Sequence, residues 1–527
     1  FLMLQRRRES SFVMNHVIRN MAYEFRRKYG KVFTALYLSS LLLYLPFLIL
    51  RLTNDMDGMW DQDDHITGAA ELRMGRWFWP ILDKLRLNVS LDPLPALISL
   101  AVFSCGVILL LSLMNVRTES SREKLFAWTI GMMILASPTV LCQLSYSHMA
   151  INDAVSFLLA VFAVWLLRKR KRGWREILLS GLMIALMMGG YQATLGVTCV
   201  TALFAFVRML QQREQVRNAL AFAGRMLLAI LLGAVLYEVF LHLGLVLTGQ
   251  TLSDYNGADA ITFTGVLGNL PSSIWHTYTA FGFYFGGNGY HFNLLQSQGW
   301  FCFLYLIPAG IALFCIREAG NALSSILMIA AFLLIPVFAN SFFLLAVSAE
   351  TMMQMTMGMA LVLPLVFCLT NWKNRLSGIV IAALFLILYG EAGQNVNDQY
   401  AMYAGRRATT AIAEQVMDCW ALSGIDYTEN VVLVYGTPEK SPLFSKADLY
   451  DRANSYAQYG RFAPTSEGNR LCWSHFFEQQ LRVNVNYAEG DTLETIYHSP
   501  EVAAMPVYPA AGSVANVWGV TVVKISD

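Results

Sequence analysis

Apolar runs of membrane length recur along the first three-quarters of the chain, and polar residues collect in the gaps between them. The runs fall at about 32–50, 93–114, 125–144, 153–167, 176–190, 192–210, 219–247, 300–316, 321–347, 352–371 and 376–390. A helix needs about 20 mostly apolar residues to cross the hydrocarbon of a bilayer, so the pattern predicts eleven spans, several of them short. The fifth and sixth separate only if the chain breaks near Gly189-Gly190-Tyr191-Gln192; one long tilted helix is the alternative. Beyond residue 391 the pattern changes. Strand-like runs at Val431–Tyr435, Arg482–Tyr487 and Val517–Ile525 accompany a helical stretch near Ala408–Leu422. The expected fold is a polytopic α-helical membrane protein with a small C-terminal α/β domain.

Charge orients the spans. Lys and Arg gather in one set of connections: Arg117, Arg122 and Lys124; Arg168-Lys169-Arg170-Lys171-Arg172 with Arg175; Arg213 and Arg217; Arg317; Lys373 and Arg375. The alternate connections hold few outside the first loop, and 249–299 holds none. Positively charged loops stay cytoplasmic. Residues 1–31 therefore read as a cytoplasmic amphipathic segment without the continuous apolar core of a cleavable signal. The membrane domain covers 32–391, with 51–92 as its first outer loop, and 392–527 forms an extracytoplasmic unit. Composition agrees: 56% of residues are hydrophobic and 14% charged, against about 25% charged in soluble chains. A formal charge of +2, with no basic tract carrying interleaved aromatics, excludes nucleic acid as a partner.

The first loop carries the candidate chemistry. Asp55, Asp57, Asp61, Asp63 and Asp64 follow the first span directly, and Arg73, Arg76, Trp77, Trp79 and Pro80 come next. Carboxylates beside arginines and aromatics at a membrane edge suit a polar group attached to a lipid. A carboxylate can take the proton of a sugar hydroxyl within hydrogen-bond reach, and an arginine fork grips phosphate. Simpler roles exist for each. Asp63 or Asp64 could cap a helix expected over His65–Met74. Arg73 and Arg76, one turn apart on a shared face, could hold ordinary headgroups.

The acidic pair followed by a short helix and Gly75-Arg76-Trp77 resembles the bacterial GtrII-type glucosyltransferase family, as does Gly189-Gly190-Tyr191-Gln192-Ala193. The resemblance covers about 54–390 in outline and is residue-specific only in those two motifs. It implies a GT-C-like architecture and transfer of a hexose, glucose above all, from a polyprenyl-phosphate donor to a surface glycan such as O-antigen. The implied place is the outer face of a bacterial inner membrane. Inverting displacement there needs a base on the acceptor side and a cation on the leaving-group side. Asp64, then Asp63, are the candidate bases, with Asp61 beside them, and Arg73 or Arg76 the phosphate partner next to Trp77. No cofactor is required; the carboxylates could hold a divalent metal, which the chemistry does not demand.

Other residues have two readings. Tyr191 and Gln192 could bind sugar hydroxyls or satisfy a broken backbone. Asn152 and Asp153, close to His148, could contact the donor or cap the fourth span. His276 and Tyr290 belong to an aromatic group in the 249–299 connection suited to sugar stacking or to interface anchoring. Glu238 and His242 could brace the bundle as a buried pair, and Met352–Met359 reads as packing. Cys419 and Cys472 could pair on an oxidising face. The competing functions are a flippase for a lipid-linked sugar and another GT-C activity, a glycan ligase or aminosugar transferase.

Overall fold

The computed structural model describes residues 26–55, 57–59, 68–88, 90–169, 173–253, 263–286, 305–344, 351–370, 377–446 and 448–527. Helices α1 (26–43) and α2 (Leu45–Leu50) make the first apolar run, and α3 (Ala69–Arg73) and α4 (Trp79–Leu85) stand in the loop after it. Then come α5 (Leu94–Leu113), α6 (Ser121–Leu135), α7 (Pro138–Leu144), α8 (Ser147–Lys169), α9 (Trp174–Gly190), α10 (Leu195–Gln211) and α11 (Val216–Thr248). These are followed by α12 (Phe263–Gly286), α13 (Leu306–Arg317), α14 (Ala322–Leu333), α15 (Ile335–Ala339), α16 (Met357–Ala360), α17 (Val362–Cys368) and α18 (Ser377–Leu422).

Among the described residues five helices are long and apolar enough to cross a membrane: α5, α8, α10 with the turn before it, α11 and α18. The pair α6 and α7, bent by 54° at Ser137-Pro138, adds a sixth if it is one span. The runs expected at 300–316, 321–347 and 352–371 contain α13 to α17, and among the described residues no helix there is longer than 12 residues. At 1.5 Å per residue 12 residues cover about 18 Å, short of a hydrocarbon core of about 30 Å. The expected break near Gly189 is present: α9 stops at Gly190, Tyr191 is extended, and a 3-10 turn over Gln192–Thr194 starts α10. The central helix is α10, with 89% of its apolar window buried, packed against α8, α11, α15 and α16. The connection expected over 249–299 contains the 24-residue α12. Its Gly, Ser, Thr and Asn dilute the apolar signal, yet no charged residue interrupts it.

The last expected span and the helix expected near Ala408 are one helix, α18, of 46 residues. It is about 69 Å long at 1.5 Å per residue, far more than the bilayer takes up. Its polar side chains bind it to the first apolar run. Asn395 donates to Tyr44 Oη (2.9 Å), Gln399 accepts from Phe47 N (3.0 Å) and donates to Leu43 O (3.1 Å), and Arg406 donates to Leu50 O (2.6 Å) and Arg51 O (2.8 Å).

The residues after α18 pack on its far half. Asp398 accepts from Asn454 N (3.0 Å), Asn454 Nδ2 (2.7 Å), Tyr456 Oη (2.8 Å) and Gln394 Nε2 (2.8 Å). Strands β1 (Val432–Tyr435), β2 (Val514–Val517) and β3 (Val520–Lys524) form a sheet in the order β1-β3-β2, parallel between β1 and β3. Helix α19 (Ser466–His475) packs on β1 and on α20 (Gly490–Tyr497). The stretch expected as a strand at Arg482–Tyr487 makes a single bridge, Val432 with Tyr487. Cys419 and the buried Cys472 are not joined by a disulfide, so the possible pairing is not formed.

The first loop is tied to this C-terminal segment by Asp55, which accepts from Gly460 N at 2.8 Å. Burial pushes its carboxyl up to about 6, against the opposing pull of the Gly460 and Arg461 amides. A raised folded value means the fold prefers the protonated acid. Its contribution is complete below about pH 4, declines from about 4 to 6, and is flat above that. Asp55→Asn should therefore gain melting temperature relative to wild type as pH rises from about 4 to 6; a difference constant with pH contradicts this assignment. Asp398→Ala strands several buried donors and should cost about 3–5 kcal/mol in thermal unfolding in detergent.

Candidate functional site

Helix α3 opens at Gly68, whose amide donates to the Glu71 carboxylate (2.8 Å). The expected capping residues Asp63 and Asp64 lie outside the described residues, as do Asp61 and Tyr290. After the helix Gly75 adopts φ +82° and turns the chain. Arg73 and Arg76 consequently do not share a helix face, as a continuous helix would have made them. Arg73 is exposed and its carbonyl accepts from Ser253 N (3.0 Å), whereas Arg76 approaches the bundle.

The turn is seated on the break between α9 and α10. Tyr237 of α11 donates its hydroxyl to Gly75 O (3.1 Å), and Gln192 Nε2 donates to Met74 O (3.0 Å) and to Tyr237 Oη (3.2 Å). Phe78 N donates to Gly189 O (2.9 Å). Trp77 lies over Gly189 so closely that a Cβ there would stand 2.5 Å from the indole. A side chain at Gly75 would meet both Tyr237 Oη and Gln192 Nε2. The two glycine-containing motifs, more than a hundred residues apart in sequence, are thus in direct contact.

This contact aims Arg76. Its guanidinium carbon lies 4.8 Å from the Trp79 ring centroid and 5.8 Å from that of Tyr191, a cation held between two aromatic faces. Behind Trp79 stands the His148 ring, 6.4 Å away edge-on. Arg86 donates to His148 O (3.0 Å) and pairs with Asp83 (2.9 Å). His148 thus supports the aromatic wall.

Opposite lies the start of α8. The helix begins at Ser147, six residues before the predicted span, so Asn152 and Asp153 are in its second turn and do not cap it. Asn152, Asp153 and Ser156 are all buried, and none of their side-chain polar atoms has a hydrogen-bond partner among the described residues. The positive charge of Arg76 acts on Asp153, though no hydrogen bond joins them. Gly190 lies against Ser156, so the helix break also lines this polar face. An unsatisfied buried polar group costs about 1–3 kcal/mol; three side chains gathered beside an arginine suit a polar ligand that satisfies them. The cation can take a phosphate, and the amide, hydroxyl and carboxylate can take hydroxyl groups.

Other expected residues stand elsewhere. His276 lies on α12 with its ring 4.5 Å from Phe343, in the turn over Ser341–Leu344, which packs on Gln192–Thr194. It is one layer removed from Arg76. Glu238 and His242, expected as a buried pair, are 58% and 67% exposed on α11, with 3.5 Å between them. Of the run Met352–Met359, Met353, Met357 and Met359 are buried, as expected of packing residues, whereas Met352 is exposed. Among the described residues no cluster of three His, Cys, Asp or Glu could hold a metal. Ser156 and Tyr237 were missed in the sequence. Ser156 follows Asn152 by four residues and shares its helix face, a readable signal; Tyr237 is a single polar tip inside an apolar run.

A model of the family described as Glucosyl transferase GtrII matches residues 47–367, more than half of the chain and including both motifs. No match was found among curated proteins or among solved structures.

Gly75→Ala forces a Cβ onto a left-handed backbone and into two side chains, so it should destabilise more than Tyr237→Phe, which loses about 1 kcal/mol of hydrogen bonding. Thermal unfolding in detergent measures both. Equal, small losses would show that the turn is not seated on α11 as described.

Proposed function

The chain belongs to the GtrII glucosyl transferase family, and we propose that it moves a hexose, glucose first, from a polyprenyl-phosphate donor to a surface glycan such as O-antigen. The family makes it a glycosyltransferase, and its long apolar helices make it a membrane protein. The finer reading rests on one observation: the buried, unpartnered face of Asn152, Asp153 and Ser156 opens beside Arg76 where the two motifs meet. In this reading Arg76 neutralises the donor phosphate as it becomes a leaving group, and Trp79 and Tyr191 fix the guanidinium. Gln192 and Trp77 position the turn, and Asn152, Asp153 and Ser156 bind sugar hydroxyls.

The reaction is a single inverting displacement. The acceptor oxygen bonds to the anomeric carbon, the bond from that carbon to the phosphate oxygen breaks, and the pair leaves with the phosphate monoester. The hydroxyl proton passes to a carboxylate, for which Asp64, then Asp63, is our choice; Asp61 lies beside them, and Asp55 holds the near end of the loop against Gly460. The transition state carries positive charge on the sugar, and in this reading Arg76 offsets the negative charge that develops on the departing phosphate. We assign this chemistry to the outer face of a bacterial inner membrane, with a cytoplasmic N-terminus and residues 392–527 on the outer side; the gathering of Lys and Arg in alternate connections supports that orientation.

The test is sugar transfer by the purified protein, with polyprenyl-phosphate glucose and a crude envelope glycan. Arg76→Lys and Asp153→Asn should each lower transfer by about 10²-fold or more with folded yield kept, and Asp64→Asn or Asp63→Asn should abolish it. Transfer unaffected by Arg76→Lys and Asp153→Asn refutes the site. Movement of the donor across a vesicle membrane with no transfer replaces the enzyme by a flippase.

A further inference from the structure

At the opposite end of the bundle the helix ends enclose a second polar cavity, of about 360 Å³. Helices α5 and α10 both begin beside the candidate site and end here, and the loop into α6 and the ends of α13 and α17 complete the wall. Arg117, Arg208 and Arg213 line it with Gln211, Thr370 and a single carboxylate, Glu318. None of the three arginines forms an ion pair within 4 Å among the described residues, although the Glu318 carboxylate acts on Arg208 through space.

The hydrogen bonds in the wall orient these donors without exhausting them. Arg208 Nε donates to Met114 O (3.1 Å) and Nη1 to Gln211 Oε1 (2.6 Å). A guanidinium has five N–H donors, so most remain for a ligand. Gln211 Nε2 donates to Leu369 O (2.7 Å) and to Glu318 (3.3 Å), which fixes the carboxylate to the wall. The Thr370 hydroxyl is buried with no partner among the described residues. An anion in this cavity would meet the remaining arginine N–H donors and the Thr370 hydroxyl together. The planar forks of arginine match phosphate oxygens in particular.

We propose that this cavity is a phosphate-binding site separate from the transferase site, filled by the headgroup phosphate of an anionic phospholipid. It stands at the ends of α5 and α10, two helices of membrane-crossing length, and basic pockets between helix ends take such headgroups. Arg208 and Thr370 contact the phosphate, while Arg117 and Arg213 close over it from the exposed rim. A bound lipid would brace the ends of α5, α10 and α17 against one another.

The experiment is thermal unfolding of the full chain in detergent with added phosphatidylglycerol, phosphatidylcholine or millimolar inorganic phosphate. Phosphatidylglycerol should raise Tm by several degrees and phosphatidylcholine should not. The double variant Arg117→Gln/Arg213→Gln, exposed and therefore foldable, should lose most of that shift, and Thr370→Val part of it. A shift with inorganic phosphate as large as that with phosphatidylglycerol supports the phosphate site and assigns it to a soluble phosphate. Equal response to the two lipids with none to phosphate, or a full shift in the double variant, overturns the proposal.

Discussion

The candidate site depends on one small contact, the seating of the Gly75 turn on the break between α9 and α10. Tyr237, Gln192 and the Gly189 carbonyl supply the hydrogen bonds, and Trp77 fills the space left by the absent side chain of Gly189. A helix that continued through Gly189 would have its carbonyl bonded within the helix and could not accept from Phe78. The break therefore frees the acceptor on which the loop is seated. With the loop seated, Arg76 has one place to go, between Trp79 and Tyr191 and facing α8. Helix packing supplies the rigidity, since α8, α9 and α11 form a continuous packed layer.

Burial gives the site its chemistry. Polar groups inside an apolar bundle need partners, and most in this chain have them. Asn395, Asp398, Gln399 and Arg406 on α18 are all paired, and the result is a fixed attachment of the C-terminal segment to the first apolar run. Asn152, Asp153 and Ser156 show the opposite. What sets the α8 group apart is that three such side chains gather beside one arginine, at the meeting of the two motifs. Asp55 belongs with the paired residues although it stands in the same acidic cluster as the proposed bases.

Much of the membrane part was legible from hydropathy, because long apolar runs at 93–114, 192–210 and 219–247 have few other uses. The break at Gly189-Gly190-Tyr191-Gln192 was legible too, since two glycines and two polar residues cannot continue a lipid-facing helix. Helix α12 was not, because Ser, Thr, Asn and Gly keep its apolar average low. The union of 376–390 with Ala408–Leu422 into α18 was hidden by Asn395, Asp398 and Gln399, which read as a connection and are partners for the first span. At the site, Arg76, Trp77, Tyr191, Gln192 and Asp153 were readable as candidates. Their meeting was not, because it depends on a positive φ at Gly75 and on a hydroxyl from Tyr237, neither of which leaves a periodic signal.

The central claim is that Arg76 holds the donor phosphate while the start of α8 holds the sugar. Its most direct test is an experimental structure of the full chain bound to a polyprenyl-phosphate sugar. The account predicts phosphate oxygens within hydrogen-bond reach of the Arg76 guanidinium and sugar hydroxyls paired with Asn152, Asp153 or Ser156. A donor phosphate bound away from Arg76, with the α8 side chains still unpartnered, would contradict it.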